Sequence, residues 1–311
     1  MTAILNKVIY IFCIMGINLY FCSYLTSKVS ARSELRRGFV ASRIGGLGYP
    51  FVKLFRYLAK DYKLNIWEVF LFFFSLFIWT VVPFSQTLTL IKFDQDLLMA
   101  FLFYLLLIFL ILTNSSRSNH GYIFQNMTKN VLMIYTFMLP VFFCVTSLVI
   151  INRTLNLKEI TGFQYQYWNI VYQPLGFIVF FTSVLLQLKL FGLTKSNPVL
   201  FTENQEKEGA GLGRLIVRVA RYSALFFLIV MISILYLGGW HSFYFINGNI
   251  IFILKFYIIF FILLLLDKAT PGLDDYRYLV SINWRFLVPF SAANFLLTII
   301  FFILRNIYNL I

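Results

Sequence analysis

Three carboxylates crowd one glycine-rich stretch of the chain, Glu203, Glu206 and Glu208, ahead of Gly209-Ala-Gly211-Leu-Gly213. Acids this close share protons or meet basic residues of a partner, and a solvated loop accommodates them equally well. A second group mixes charges with aromatics: Lys268, Asp274, Asp275 and Arg277, then Trp284 and Arg285. Such a mixture suits a packed interface. A third group is cationic, because Arg32 to Lys63 holds eight Lys or Arg, among them Arg36, Arg37 and Arg43. Lys255 stands inside an apolar run, where a buried ammonium is costly and either snorkels to the nearer surface, meets a polar partner or serves a proton path. His120 and His241 both fall in polar connections, so the facing intramembrane pair that ligates haem is missing. Cys13, Cys22 and Cys144 sit in apolar runs and act as small hydrophobes. No P-loop, dinucleotide fingerprint or metal-ligand spacing occurs, so the chain is expected to hold no metal or redox cofactor of its own.

The elements that carry these groups are set by composition. With 60% hydrophobic and 12% charged residues in 311, the chain has too much apolar surface for a water-soluble fold, and lipid is its solvent. Apolar runs at Val8 to Leu25, Ile66 to Phe84, Leu97 to Leu112, Val131 to Ile151, Val171 to Leu188, Leu215 to Leu237, Ile250 to Leu266 and Phe286 to Leu304 predict about eight crossings of a ~30 Å hydrocarbon layer. Runs this long satisfy their own backbone only as helices, so the expected fold is an all-α membrane bundle. The run from Val8 is expected to stay as the first helix, since no small-residue cleavage site follows it.

The 26 Lys and Arg against 12 Asp and Glu give a net charge of +14. They gather in the first, third, fifth and seventh connections, which an even-numbered bundle places on one side. The other connections hold little beyond Lys92, Arg153 and Lys158. This excludes a nucleic-acid groove and, by the positive-inside rule, sets the odd connections on the cytoplasmic or matrix side, with both termini opposite. Phe51, Leu54, Phe55 and Leu58 recur at helical spacing after Pro50, predicting an amphipathic helix on the membrane surface. One polytopic domain, 1–311, is expected, with a basic loop and surface helix at 31–64, an acidic loop at 189–214 and a mixed-charge loop at 267–285.

Several blocks resemble subunit 1 of the proton-pumping respiratory NADH dehydrogenase, NADH:ubiquinone oxidoreductase chain 1. Arg37-Gly38-Phe39-Val40-Ala41-Ser42-Arg43-Ile44-Gly45 is similar to its first-connection motif, and Tyr49-Pro50-Phe51 through Lys60-Asp61 to the surface helix that follows. Trp79-Thr80 with Pro83, Ala224-Leu225-Phe226-Phe227, Leu237-Gly238-Gly239 and Lys268 to Leu279 with Trp284-Arg285 and Pro289 resemble later blocks in order. The departures are equally plain. Thr136, Val217 and Val230 stand where carboxylates would align, Leu200 replaces an aspartate, and Asp275-Tyr276-Arg277 reverses the family's Arg-Tyr-Asp.

The resemblance implies a mitochondrial inner-membrane subunit without a redox centre, with its basic loops facing the matrix. It also implies a lipid-accessible tunnel for ubiquinone, with Arg36, Arg37, Arg43, Phe51, Phe55, Phe226 and Phe227 as channel candidates. Glu203, Glu206, Glu208, Lys255, Lys268, Asp275 and Arg277 are the implied proton-path or coupling groups. NADH, FMN and iron–sulfur clusters would lie on partner subunits of the peripheral arm, with other membrane-arm subunits alongside. Two other classes stay open on the residues alone: a transporter or channel with a substrate site at the Pro140 and Pro174 breaks, and a structural anchor.

Overall fold

A computed structural model describes residues 2–35, 46–60, 64–85, 88–116, 123–193, 211–242, 246–270 and 276–307. In chain order the helices are α1 (Thr2–Ser33), α2 (Tyr49–Leu58), α3 (Ile66–Phe77, continued by a 3-10 turn Ile78–Thr80), α4 (Asp96–Ser116), α5 (Ile123–Asn152), α6 (Leu157–Phe163), α7 (Asn169–Tyr172), α8 (Pro174–Phe191), α9 (Leu212–Tyr236), α10 (Gly248–Ala269), α11 (Tyr276–Ile282) and α12 (Val288–Ile307). A π turn, Asn283–Leu287, joins α11 to α12. Seven segments among the described residues are long and apolar enough to cross a membrane, and the α3 segment Ile66–Thr80 is a shorter apolar helix. The chain is thus an all-α, multi-pass membrane protein. The second run ends at Thr80 rather than Phe84 because Pro83 has no N–H to continue the ladder and restricts Val82 before it.

Beyond its arginine-bearing first turns, α9 has no charged side chain and forms the centre of the bundle. Every residue from Tyr222 to Tyr236 is buried, and the helix touches α2, α3, α4, α6, α8 and α10. A helix with no polar face is buried on all sides. The connections meet in two separate sets. Leu97 N donates to Leu155 O (3.1 Å), Lys158 Nζ to Thr89 Oγ1 (3.1 Å) and Gln164 Nε2 to Ile234 O (2.9 Å), tying the second, fourth and sixth connections together. On the other side Lys189, at the end of α8, donates to Thr270 O (2.7 Å) at the start of the seventh. This alternation is the one that eight traverses, α3 included, require.

Two prolines interrupt the helical ladders, and each is answered locally. Pro140 lies inside α5 and carries no N–H for the carbonyl four residues back, that of Thr136. Asn283 Nδ2 supplies the donor at 2.6 Å. Pro289 likewise cannot donate to Arg285. The ladder slips just ahead of it, with Val288 N bonding Asn283 O across five residues, as a π turn does. The break at Pro140 is therefore closed by a neighbouring helix, and Pro174 merely opens α8 at its first turn.

The C-terminus of α9 is satisfied in the same way. Gly239 N donates to Ser233 O (2.8 Å), Gln164 Nε2 to Ile234 O and Asn169 Nδ2 to Leu235 O (2.8 Å). Gly238 and Gly239 turn the chain out of the helix at φ of +71° and +50°, a region that favours glycine. A Cβ on Gly238 would also lie 3.0 Å from the Trp168 ring nitrogen.

Asn283→Leu is expected to lower stability by about 1–2 kcal/mol, since it removes a donor from a carbonyl held away from water. Pro140→Ala restores the helical N–H. The pair of substitutions should then be less harmful than the sum of the singles, read as the thermal midpoint of the detergent-solubilised protein.

Candidate functional site

A cavity of about 590 Å³ lies where α1, the surface helix α2 and the first turns of α9 converge. Its position follows from sequence. Gly48 precedes α2, and Pro50 sits in the first turn, so the chain turns back onto α1 directly after the basic connection. Tyr20 fastens that turn, its hydroxyl donating to Leu47 O and its ring lying 4.6 Å from that of Phe51. No residue of α2 is buried. The helix rests on the bundle as a roof, with Phe51 and Leu54 over the cavity.

The lining is graded along α1. Cys13, Gly16, Ile17 and Phe21 make one end apolar, whereas Ser23 and Ser27, with Lys53, Tyr57, Arg218 and Tyr222 from α2 and α9, make the other polar. From Cys13 to Ser27 the helix rises about 21 Å at 1.5 Å per residue. Tyr222 is held by Thr26, whose hydroxyl lies 2.9 Å from the phenol oxygen. Arg218 is close to that ring, at 5.9 Å from its centroid. The polar end lies toward the basic connections and the apolar end toward the membrane interior. Ile17, Phe21 and Phe51 are exposed and form a rim open to lipid. This shape fits an amphiphile with a polar head and a hydrocarbon tail.

Of the residues expected to line a channel, Phe51 borders this cavity, while Phe55 is 64% exposed on the outer flank of α2. Phe226 faces a second, smaller cavity at the opposite end of the bundle. Phe227 stacks on Tyr104 with ring centroids 4.8 Å apart and belongs to the core. Arg36, Arg37 and Arg43 lie outside the described residues, as do Glu203, Glu206, Glu208 and Asp275. Lys268 is half-buried in the last turn of α10, and Arg277 is exposed at the start of α11. Lys255 donates to Leu237 O (2.5 Å) and Gly239 O (3.0 Å) and sits 4.9 Å from the Trp168 ring centroid. It has met its polar partners at the end of α9, favourably placed against the negative end of that helix.

Two groups escape a reading of the sequence. Arg218 falls inside the apolar run from Leu215 to Leu237, yet it lines the cavity from the second turn of α9. Lys189 and Asp267 read as loop residues but lie inside α8 and α10, which run on to Phe191 and Ala269. Both side chains are fully buried and form an ion pair at 3.4 Å. Lys189 Nζ also donates to Asp267 O (3.2 Å) and Thr270 O (2.7 Å), so it caps α10 where the seventh connection begins. The buried carboxylates among the described residues, Glu68, Asp96 and Asp267, all stand at helix ends. Glu68 accepts from Asn65 N (3.1 Å) and Asp96 from Phe93 N (2.8 Å). Side chains crossing the middle are uncharged, as where Tyr104 donates to Gln187 Oε1 at 2.5 Å.

Fold and cavity together define a multi-pass membrane protein with a lipid-facing cavity beneath a surface helix. A family model described as NADH dehydrogenase matches residues 6–299, and the chain belongs to that family. A NADH-quinone oxidoreductase subunit of Bacillus cytotoxicus is 28% identical over 193 residues, covering 60% of this chain and 57% of that protein. The same-named subunit of a Bacillus cereus strain is 27% identical over 193 residues, again covering 60% of this chain and 57% of the relative. The matched stretch thus spans somewhat more than half the length of these curated relatives.

Lys189→Met leaves the Asp267 carboxylate buried without its ammonium and is expected to cost on the order of 3–5 kcal/mol. Lys189→Met combined with Asp267→Leu should recover most of that loss, measured as resistance of the membrane-embedded protein to thermolysin across a temperature series.

Proposed function

We propose that this chain is the membrane subunit through which quinone enters a proton-pumping NADH:ubiquinone oxidoreductase, and that it couples quinone reduction to proton movement. The observation that carries the reading is the graded cavity under α2. Its apolar end suits an isoprenoid tail drawn from the bilayer, and its Arg218, Tyr57 and Tyr222 end suits a polar head. In a respiratory membrane the basic face is read as the matrix side, by the positive-inside rule, and the membrane as the mitochondrial inner membrane. NADH, FMN and iron–sulfur clusters belong on this reading to subunits of the peripheral arm docked on that face.

Coupling is assigned to the basic-face connections. A change of charge on the quinone shifts the protonation of nearby acids and bases. Glu203, Glu206, Glu208, Asp275, Lys268 and Arg277 stand in the fifth and seventh connections, and the Lys189–Asp267 pair joins the helices that bound them. Asp275 and Arg277 are proposed to belong to one ion-pair network with reversed polarity. Lys255 is assigned a structural part, because its ammonium is engaged by two carbonyls. Against the transporter reading stand the Asn283 bond to the carbonyl exposed by Pro140 and the place of Pro174 in the first turn of α8.

In the native assembly a ubiquinone carrying a photoreactive group on its tail should label peptides of α1 between Cys13 and Phe21 and of α2 around Phe51. Labelling confined to other subunits, or competed by no added quinone, overturns the assignment. Gly16 offers an independent test, because a Cβ built on it meets nothing within 4 Å. Gly16→Leu should therefore fold normally and narrow the apolar end. A rise in KM of roughly tenfold for long-tailed quinone, equivalent to about 1.4 kcal/mol, is expected, with little change for a tailless analogue.

A further inference from the structure

The second cavity, about 240 Å³, is absorbed neither by the quinone reading nor by core packing. Its walls come from α1 between Tyr10 and Asn18, the second connection, α9 and the start of α10. Tyr10, Leu88 and Asn249 place it at the face opposite the basic connections. The rim is open to lipid, with Tyr10 55% and Ile253 49% exposed, while the floor of Trp79, Phe226 and Val230 is buried. It is a crevice between α1 and α10, apolar within, and a crevice open to hydrocarbon is a place for an acyl chain.

Charge supplies the second half of the argument. The face is poor in basic residues, and three of them, Lys7, Lys92 and Lys158, lie near this crevice, while Arg153 rests on Phe302 of α12. Lys7 lies one turn before Tyr10 on the same side of α1. Lys158 reaches Thr89, next to Leu88, at 3.1 Å, and Lys92 follows in the same connection. Burial and the positive charges of Lys92 and Lys7 pull the Lys158 ammonium below the usual lysine range, with Asp96 opposing them. Three lysines near the crevice against Asp94 and Asp96 leave an excess of positive charge, which a phosphate above an acyl chain would balance.

We infer that this crevice is a binding site for an anionic phospholipid of the leaflet opposite the basic face, with one acyl chain between α1 and α10 and its phosphate among Lys7, Lys92 and Lys158. The lipid would wedge α1 against α9 on the far side of the membrane from α2. The site is separate from the cavity beneath α2 and does not require the quinone assignment.

The test uses the intact assembly in phosphatidylcholine vesicles doped with a lipid carrying a diazirine in its acyl chain, either phosphatidylglycerol or phosphatidylcholine. The phosphatidylglycerol probe should label the Tyr10–Ile14 and Phe252–Ile253 peptides several-fold more than the phosphatidylcholine probe, at equal labelling of the lipid-facing Phe301 region of α12. Each of Lys7→Gln and Lys92→Gln should cut that preference by roughly fivefold. Ile253→Trp should reduce crevice labelling by both probes and leave α12 labelling unchanged. Equal labelling by the two lipids, unaffected by the lysine substitutions, overturns the inference. Preferential labelling of the same peptides by a diazirine-tailed quinone also overturns it, by assigning the crevice to the quinone's passage.

Discussion

Within hydrocarbon no water is available to a backbone carbonyl or amide, and every break in a helix must be answered by the protein itself. That constraint organises this bundle. Where Pro140 withholds an N–H, a side chain from the last helical segment reaches in to Thr136 O. Where α9 ends, Gln164, Asn169 and Lys255 supply donors to carbonyls at Ile234, Leu235 and Leu237. Where α10 ends, Lys189 does so for Asp267 and Thr270. Side chains that look like candidates for chemistry are thus largely engaged in holding helix ends. The polar residues near each end also fix which helices can be neighbours, since each donor has to arrive from a different element.

The amphiphile cavity follows from the opposite circumstance. α2 lies at the membrane surface, where one of its flanks is wet. It can therefore leave its residues unburied and still be stable against the bundle. Tyr20 ties the turn before it to α1, and the space beneath is left unfilled because Gly16 presents no side chain there. A rigid floor of α9, a glycine-lightened wall and a roof anchored at one end make an opening toward lipid without breaking any backbone ladder. The site needs no charged residue deep in the membrane, consistent with buried carboxylates confined to helix ends among the described residues.

Much of this is legible in the sequence, because the periodicity and length of apolar runs report directly on burial in lipid. Helix class and the surface helix after Pro50 follow from residue order alone. Helix ends are less legible. Lys189 and Asp267 look like loop residues because each is charged at the edge of an apolar run, and only their mutual proximity lets both remain helical. Phe226 and Phe227 are adjacent, so on a helix they necessarily face different neighbours. One reaches the smaller cavity and the other packs on Tyr104.

The thinning of acids noted at Thr136, Val217 and Val230 also acquires a physical sense. Thr136 contributes its backbone carbonyl to the Pro140 repair, and a carboxylate on that turn would sit beside an acceptor already engaged by Asn283. Val230 forms the floor of an apolar crevice, where an ionised group would lack both water and a partner. With charge removed from mid-membrane, the groups able to respond to an event at the basic face are those at helix ends and in the connections. The Lys189–Asp267 pair stands at that boundary, dry on all sides yet one residue from the half-buried Lys268. A buried pair of this kind resists being separated, so it holds the start of the seventh connection against the end of α8.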